Sequence, residues 1–137
     1  MIQANAAVVS IEDFDERAES AEGVEIELVR ANGKKTGIHV TVVGEQSERV
    51  QAHVFRTINA RRRQDFVNAR KGKAAEVRNI EDDVELTIDK AVISVIGWRG
   101  PKEPFNEPNL SRLLERNPSF VTQILEASAD TALFTKG

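Results

Sequence analysis

The feature that most constrains the fold of this 137-residue chain is a change of hydrophobic period at Gly44. Before it, Val24, Ile26 and Leu28 alternate with Glu25, Glu27 and Val29. The run Gly37-Ile38-His39-Val40-Thr41-Val42-Val43 is β-branched and alternates again. Period two is that of a half-buried strand. After Gly44, Val50, Val54 and Ile58 recur every four residues with Phe55 beside them, in a stretch from Gln46 to about Lys71 that holds neither Gly nor Pro. That is one face of a helix. Strands come first and helices follow, so the expected class is α+β and mainly α.

The two strand runs are separated by a loop from Ala31 to Thr36 in which Asn32-Gly33 suits a tight reversal. An N-terminal β-hairpin is expected, and because two strands alone are marginal in water it must pack on the helices or pair with another chain. The long helix stops near Gly72, with Arg70, Lys71 and Lys73 around it as a helix C-terminus favours. A second helix follows, with Val77, Ile80, Val84, Ile88, Ala91, Val92 and Val95 at steps of three and four. Glu81, Asp82 and Asp83 fall in its first turns, its end is apolar nearly all round, and Gly97 terminates it. Two long helices with a short turn predict an antiparallel αα-hairpin.

Residues 98–108 then hold three of the four prolines in a structured connector. Two shorter C-terminal helices complete the chain. The first presents Leu110, Leu113 and Leu114. The second restarts at Asn117-Pro118, with Asn as N-cap, and presents Val121, Ile124, Leu125, Ser128 and Ala132 with Leu133 alongside. Residues 1–22 lack a sustained period: Ser10 and Asp13 resemble a weak helix start, broken by Ser20-Ala21-Glu22-Gly23. They are set apart as a flexible arm, and residues 23–137 as a single α+β domain.

Zero cysteines exclude disulfides, thiolate metal sites and a cysteine nucleophile. His39 and His53 show no HxH or HxxxH spacing, and Glu81-Asp82-Asp83 lacks the glycine of a calcium loop. No GxSxG elbow or GxxxxGK[ST] loop is present. The expectation is no catalytic, cofactor-binding or metal residue, hence no enzyme and no cofactor. No run of about 18 apolar residues exists, so no membrane span is expected, and the start of the chain is too weakly apolar for a signal peptide.

The net charge of −3 conceals blocks. Residues 1–33 carry eight acids and two bases, a net of −6, whereas residues 46–75 carry eight bases and two acids, a net of +6. Arg61-Arg62-Arg63 is the densest basic point. It can pair with acids of its own chain or of a neighbour, or grip nucleic-acid phosphates. Three consecutive residues span about 200° of a helix and no aromatic lies among them, which disfavours nucleic acid. A helix-turn-helix reading of the last two helices fails because the final helix exposes Thr122, Gln123, Glu126 and Asp130, with no Arg or Lys before Lys136. Trp98 and Phe105 flank the proline-rich connector. They either plug the end of the core or stand exposed as partner anchors.

Several stretches together are similar to the tail assembly chaperones of long-tailed, siphovirus-like bacteriophages. These are Thr36–Gly44, Val95-Ile96-Gly97-Trp98, Pro104–Leu114 with its Pro-Phe, Asn-Leu and Leu-Leu steps, Asn117–Ile124, and Asp130-Thr131-Ala132-Leu133-Phe134. The resemblance covers roughly residues 24–134. It implies a non-enzymatic protein that binds and solubilises the tape measure protein and helps recruit tail tube subunits, the latter through a longer frameshifted form. It further implies self-association into rings or spirals, and a place in the host cytoplasm during assembly rather than in the mature virion. It transfers no site residue. On charge alone, the acidic N-terminal block of one subunit is expected to approach Arg61, Arg62 and Arg63 of the next in a head-to-tail contact. Two other readings stand beside this one: a structural head–tail or tail component, and a small nucleic-acid-binding regulator using the basic helix.

Overall fold

Strands β1 (Val24–Val29) and β2 (Lys35–Val42) form the expected antiparallel hairpin, with Val24 opposite Val42, Ile26 opposite Val40 and Glu27 opposite His39. In this computed structural model, which describes residues 8–70 and 80–136, the reversal runs through Asn32-Gly33. The Gly33 N–H donates to the Arg30 carbonyl at 2.7 Å and the Arg30 N–H to the Lys34 carbonyl at 2.8 Å. The register slips between Glu27 and Val29. There the Thr36 hydroxyl donates to the Leu28 carbonyl at 2.6 Å and accepts from the Ile38 N–H at 3.0 Å, so a side chain satisfies backbone groups that the bulge leaves out of the ladder.

The hairpin gains its third strand from within the chain. β3 (Val95–Arg99) pairs antiparallel with the far side of β2, giving the order β1-β2-β3. This corrects the expectation that the second long helix runs on to Gly97: the helix ends at Ser94. The physical reason is pairing. Val95 stands opposite Val42 and Trp98 opposite Val40, which completes a sheet that two strands could not sustain.

Helix α1 (Glu16–Glu22) lies within the segment set apart as an arm, with the Asp15 carboxylate accepting from the Ala18 N–H at 2.9 Å. Helices α2 (Glu48–Arg70) and α3 (Ile80–Ser94) are the expected antiparallel pair. Arg49 near the start of α2 donates to the Ile93 carbonyl near the end of α3 at 2.7 Å, while Arg61 further along pairs with Asp83 near the α3 start at 3.2 Å. The turn expected near Gly72, and Val77 of the apolar stripe, lie outside the described residues. Helix α4 (Glu107–Arg116) is capped by Asn106, whose side chain accepts from the Asn109 N–H at 2.9 Å. Asn117 is the N-cap residue of α5 (Pro118–Ala129), but its amide turns back and donates to the Leu113 carbonyl at 2.9 Å, closing α4 instead.

The final helix breaks at Asp130, and α6 (Thr131–Phe134) is a separate turn. The break redirects the face expected there: Phe134 is buried, whereas Ala132 and Leu133 are exposed. The core joins Leu28, Val40 and Val42 of the sheet to Ala91 of α3, to Leu110 and Leu114 of α4, and to Phe120, Val121 and Ile124 of α5. Each such large side chain removed from water contributes about 1.5–3 kcal/mol. The N-terminal helix is seated on the other end of the chain. Gly44 donates to the Ser20 carbonyl at 2.9 Å, and the Lys136 N–H donates to the Glu19 carboxylate at 2.6 Å. Lys136 also pairs with Glu22, which raises the pKa of its ammonium.

Candidate functional site

Three surface regions remain once the core is assigned. The first is the outward face of α2. Only Val50 and Asn68 of this helix are buried, and they lie on one line of it. At about 100° per residue, Phe55, Arg62 and Phe66 fall on the opposite line, with Ile58 and Arg63 at its margins. Phe55 and Phe66 are 58% and 63% exposed. Phe55 was grouped with the inward stripe by sequence. Its position about 140° around from Val50 was the signal that it faces away. Of the three consecutive arginines, Arg61 is turned inward and held by Asp83, while Arg62 and Arg63 are exposed and make no ion pair among the described residues. The cluster therefore divides into one internal tie and two outward cations. Arg70 lies over the Phe66 ring, its guanidinium 5.8 Å from the centroid.

The second region is a pair of grooves flanking α3. One, of about 500 Å³, has Val54, Ile58, Leu86 and Leu125 among its lining, with Arg61, Asp83 and Lys90 at its rim. The other, of about 360 Å³, is lined by Val84, Ile88, Leu114, Pro118 and Val121, with Glu115 beside them. Val84, expected inside by its spacing, is 52% exposed. Neighbouring helices wall it without covering it.

The third region is the connector. Trp98 and Phe105 meet edge to face, with centroids 5.4 Å apart and planes at 75°. The Trp98 indole N–H donates to the Glu103 carbonyl at 3.2 Å, and the ring packs against the core. Phe105 keeps 37% of its surface exposed. The structure thus brings the two aromatics together and gives them different surroundings.

The outer face of the sheet is polar. Arg99 on β3 reaches across β2 to Glu25 on β1 with bonds of 2.7–3.0 Å, and this guanidinium holds the Glu25 carboxyl below the ordinary glutamate range. His39 lies between them with its Nε2 3.9 Å from Glu27. Among the described residues, no three His, Asp or Glu side chains converge as metal ligands do, and no helix is long and apolar enough to cross a membrane.

Gln123, read from the sequence as simply exposed, proves structural. Its amide accepts from the Val29 N–H at 2.9 Å and donates to the Val29 carbonyl at 2.8 Å. One side chain imitates a neighbouring strand at the open edge of β1.

A geometry of apolar grooves with charged rims agrees with the comparison to known families. A family model described as phage tail assembly chaperone matches residues 23–135. The chain belongs to that family. The matched span begins just before β1 and ends just after α6, so it takes in the sheet, both long helices and the C-terminal helices of the chaperone. The family is not one of enzymes. No curated protein and no solved structure matches the chaperone significantly.

Proposed function

We propose that this chaperone binds and solubilises the tape measure protein in the host cytoplasm and helps recruit tail tube subunits around it, leaving before the virion matures. The observation that carries this reading is the family match over residues 23–135. The grooves beside α3 support it physically. A long helical client exposes apolar stripes, and a holdase must cover them without aggregating itself, which calls for narrow apolar floors bounded by charge. Val54, Ile58 and Leu86 on one side, and Val84, Ile88 and Val121 on the other, form such floors. In this reading Phe105, with Trp98 behind it, is a further anchor. Copies of the chaperone associate with one another through the Arg61–Arg63 region into a ring or spiral along the client, and a longer frameshifted form contacts the tail tube protein. Neither nucleic acid nor membrane is a partner.

Co-expression with the tape measure protein, followed by solubility and pull-down assays, tests the reading. The client is expected to become soluble and to co-purify with many copies of the chaperone. Val84→Glu, at an exposed position, is expected to abolish capture with the fold intact by circular dichroism. A client that stays insoluble and unbound beside a folded wild-type chain would overturn the proposal, and a search for the chain in purified virions would then test the structural-component reading.

A further inference from the structure

No other element among the described residues covers the outward face of α2, and the chain also carries a segment that fits it. Residues 8–14 precede α1 and present Val8, Val9, Ile11 and Phe14 to solvent, with Val8 fully exposed and Phe14 68% exposed. Solitary exposed apolar residues need no explanation, but four in seven residues do. The segment has a set shape. Ser10 and Asp13 form a reciprocal cap in which the Ser10 N–H donates to Asp13 at 3.0 Å, and the Phe14 N–H closes the turn on the Ile11 carbonyl at 3.2 Å. Its acids are Glu12 and Asp13, with Asp15 and Glu16 following.

We propose that residues 8–14 of one copy dock on the outward face of α2 of a second copy. This deepens the self-association suggested above and rests on it. Three observations support the fit. The order of chemistry is the same on both surfaces. On the arm, Val8, Val9 and Ile11 are followed by Glu12 and Asp13 and then by Phe14; on α2, Phe55 is followed by Arg62 and Arg63 and then by Phe66. The charges at the two centres are opposite, so apolar ends meet apolar ends when carboxylates meet guanidinium groups. The lengths agree as well: Phe55 to Phe66 spans about 16 Å of helix, and an extended stretch followed by a 3₁₀ turn carries Val8 to Phe14 over roughly the same distance.

The structure also narrows the electrostatics read from the sequence. Arg61 is engaged by Asp83. Glu22 and Glu25 are engaged by Lys136 and Arg99. Glu12 and Asp13 bond only to Ser10 of their own turn and hold no cation among the described residues, so the contact falls to Arg62 and Arg63 on one side and to these two acids on the other. A surface that differs from its receptor is heterologous, so each copy gives one arm and receives one, and the assembly propagates or closes into a ring. An arm of this size lies at the small end of interfaces, so a single junction is weak and the assembly depends on concentration.

Sedimentation of the chain without client tests this. Arg62→Glu/Arg63→Glu and Glu12→Arg/Asp13→Arg are each expected to weaken self-association by about tenfold or more. Mixing the two is expected to restore assembly with the two variants alternating, because the acidic arm of one meets the basic face of the other and the basic arm meets the acidic face. Because the chain has no cysteine, Phe14→Cys/Phe66→Cys is expected to form intermolecular disulfide ladders on oxidation, a readout that holds even if a charge variant misfolds. A wild type that sediments as a monomer throughout, charge variants that assemble as the wild type does, or a double cysteine variant that never cross-links would each overturn the proposal. So would Phe55→Ser/Phe66→Ser losing client capture while assembly stays unchanged, which would assign this face to the client. Client pull-down is read separately, so failure of the arm contact leaves the chaperone reading intact, and failure of client capture leaves the assembly result standing.

Discussion

At Gly100, just beyond β3, the backbone has φ +113°, and a Cβ built there would lie 2.2 Å from the carbonyl oxygen of Gly37. Gly97, on the same strand, has open space where its side chain would be. The two glycines look alike in sequence but differ in physics. One permits a close backbone approach at the bulge of β2, and the other only leaves the outer sheet face bare. Gly100→Ala combines strain with a clash against backbone, which cannot rotate away. It is expected to cost about 3 kcal/mol in urea denaturation, whereas Gly97→Ala is expected to stay within about 0.5 kcal/mol of wild type. Gly44 belongs with Gly100: a Cβ there would lie 2.6 Å from the Ser20 hydroxyl oxygen and 3.1 Å from the Phe134 ring.

Among the elements, α2 is the least supported. It is long, with 23 residues, but few of its side chains are buried. Its ties to α3 include an ion pair in which Asp83 is 58% exposed, and pairs of that kind contribute little. Helices draw most of their stability from a packed face. Amides of residues 55–70 are therefore expected to exchange with deuterium well before those of β2 and α5, whose cores include Val40, Val42 and Ile124. Equal protection across all three would contradict this account.

The same contrast explains which elements were legible in the sequence. β1 and β2 were, because one face is buried and the other wet, so burial writes an alternation. The axes of α2, α4 and α5 were legible for the same reason. β3 was not. Ala91 to Ile96 is apolar at nearly every position, and a run with no polar alternation carries no period to separate helix from strand. Its β-branched residues followed by Gly97 were the available cue. The Gln123 clamp was invisible because a polar residue on a helix looks the same facing water or a strand edge. The candidate surfaces were legible only in part. Trp98, Phe105 and the arginine cluster stood out by composition, whereas the groove around Val84 exists only where three helices meet.

Over the whole molecule, the two ends of the described chain are held together. Ser20 of α1, Gly44 after β2, and Phe134 of α6 occupy one junction, and Lys136 is bonded to Glu19 and Glu22. Removing residues 131–137 uncovers Ser20, breaks both contacts to Lys136 and takes Phe134 out of the shared core, while the sheet and helices α3–α5 keep its other ten buried members. Limited proteolysis of that truncation is expected to cut within residues 8–22 far faster than in the full chain, with the remainder of the fold persisting. Unchanged resistance at those residues would mean that α1 is held by something other than α6.

That junction has a temporal consequence. Phe134 is translated more than a hundred residues after Ser20, which at bacterial elongation rates is a delay of roughly 6–20 s. Throughout that interval the hairpin can fold and helices can accrete on the emerging polypeptide, yet α1 has its bond to Gly44 without the contacts of Phe134 and Lys136. The anchorage of the N-terminal segment thus reports that α6 has emerged: a nascent chain that has not yet exposed Phe134 cannot display it in its final position.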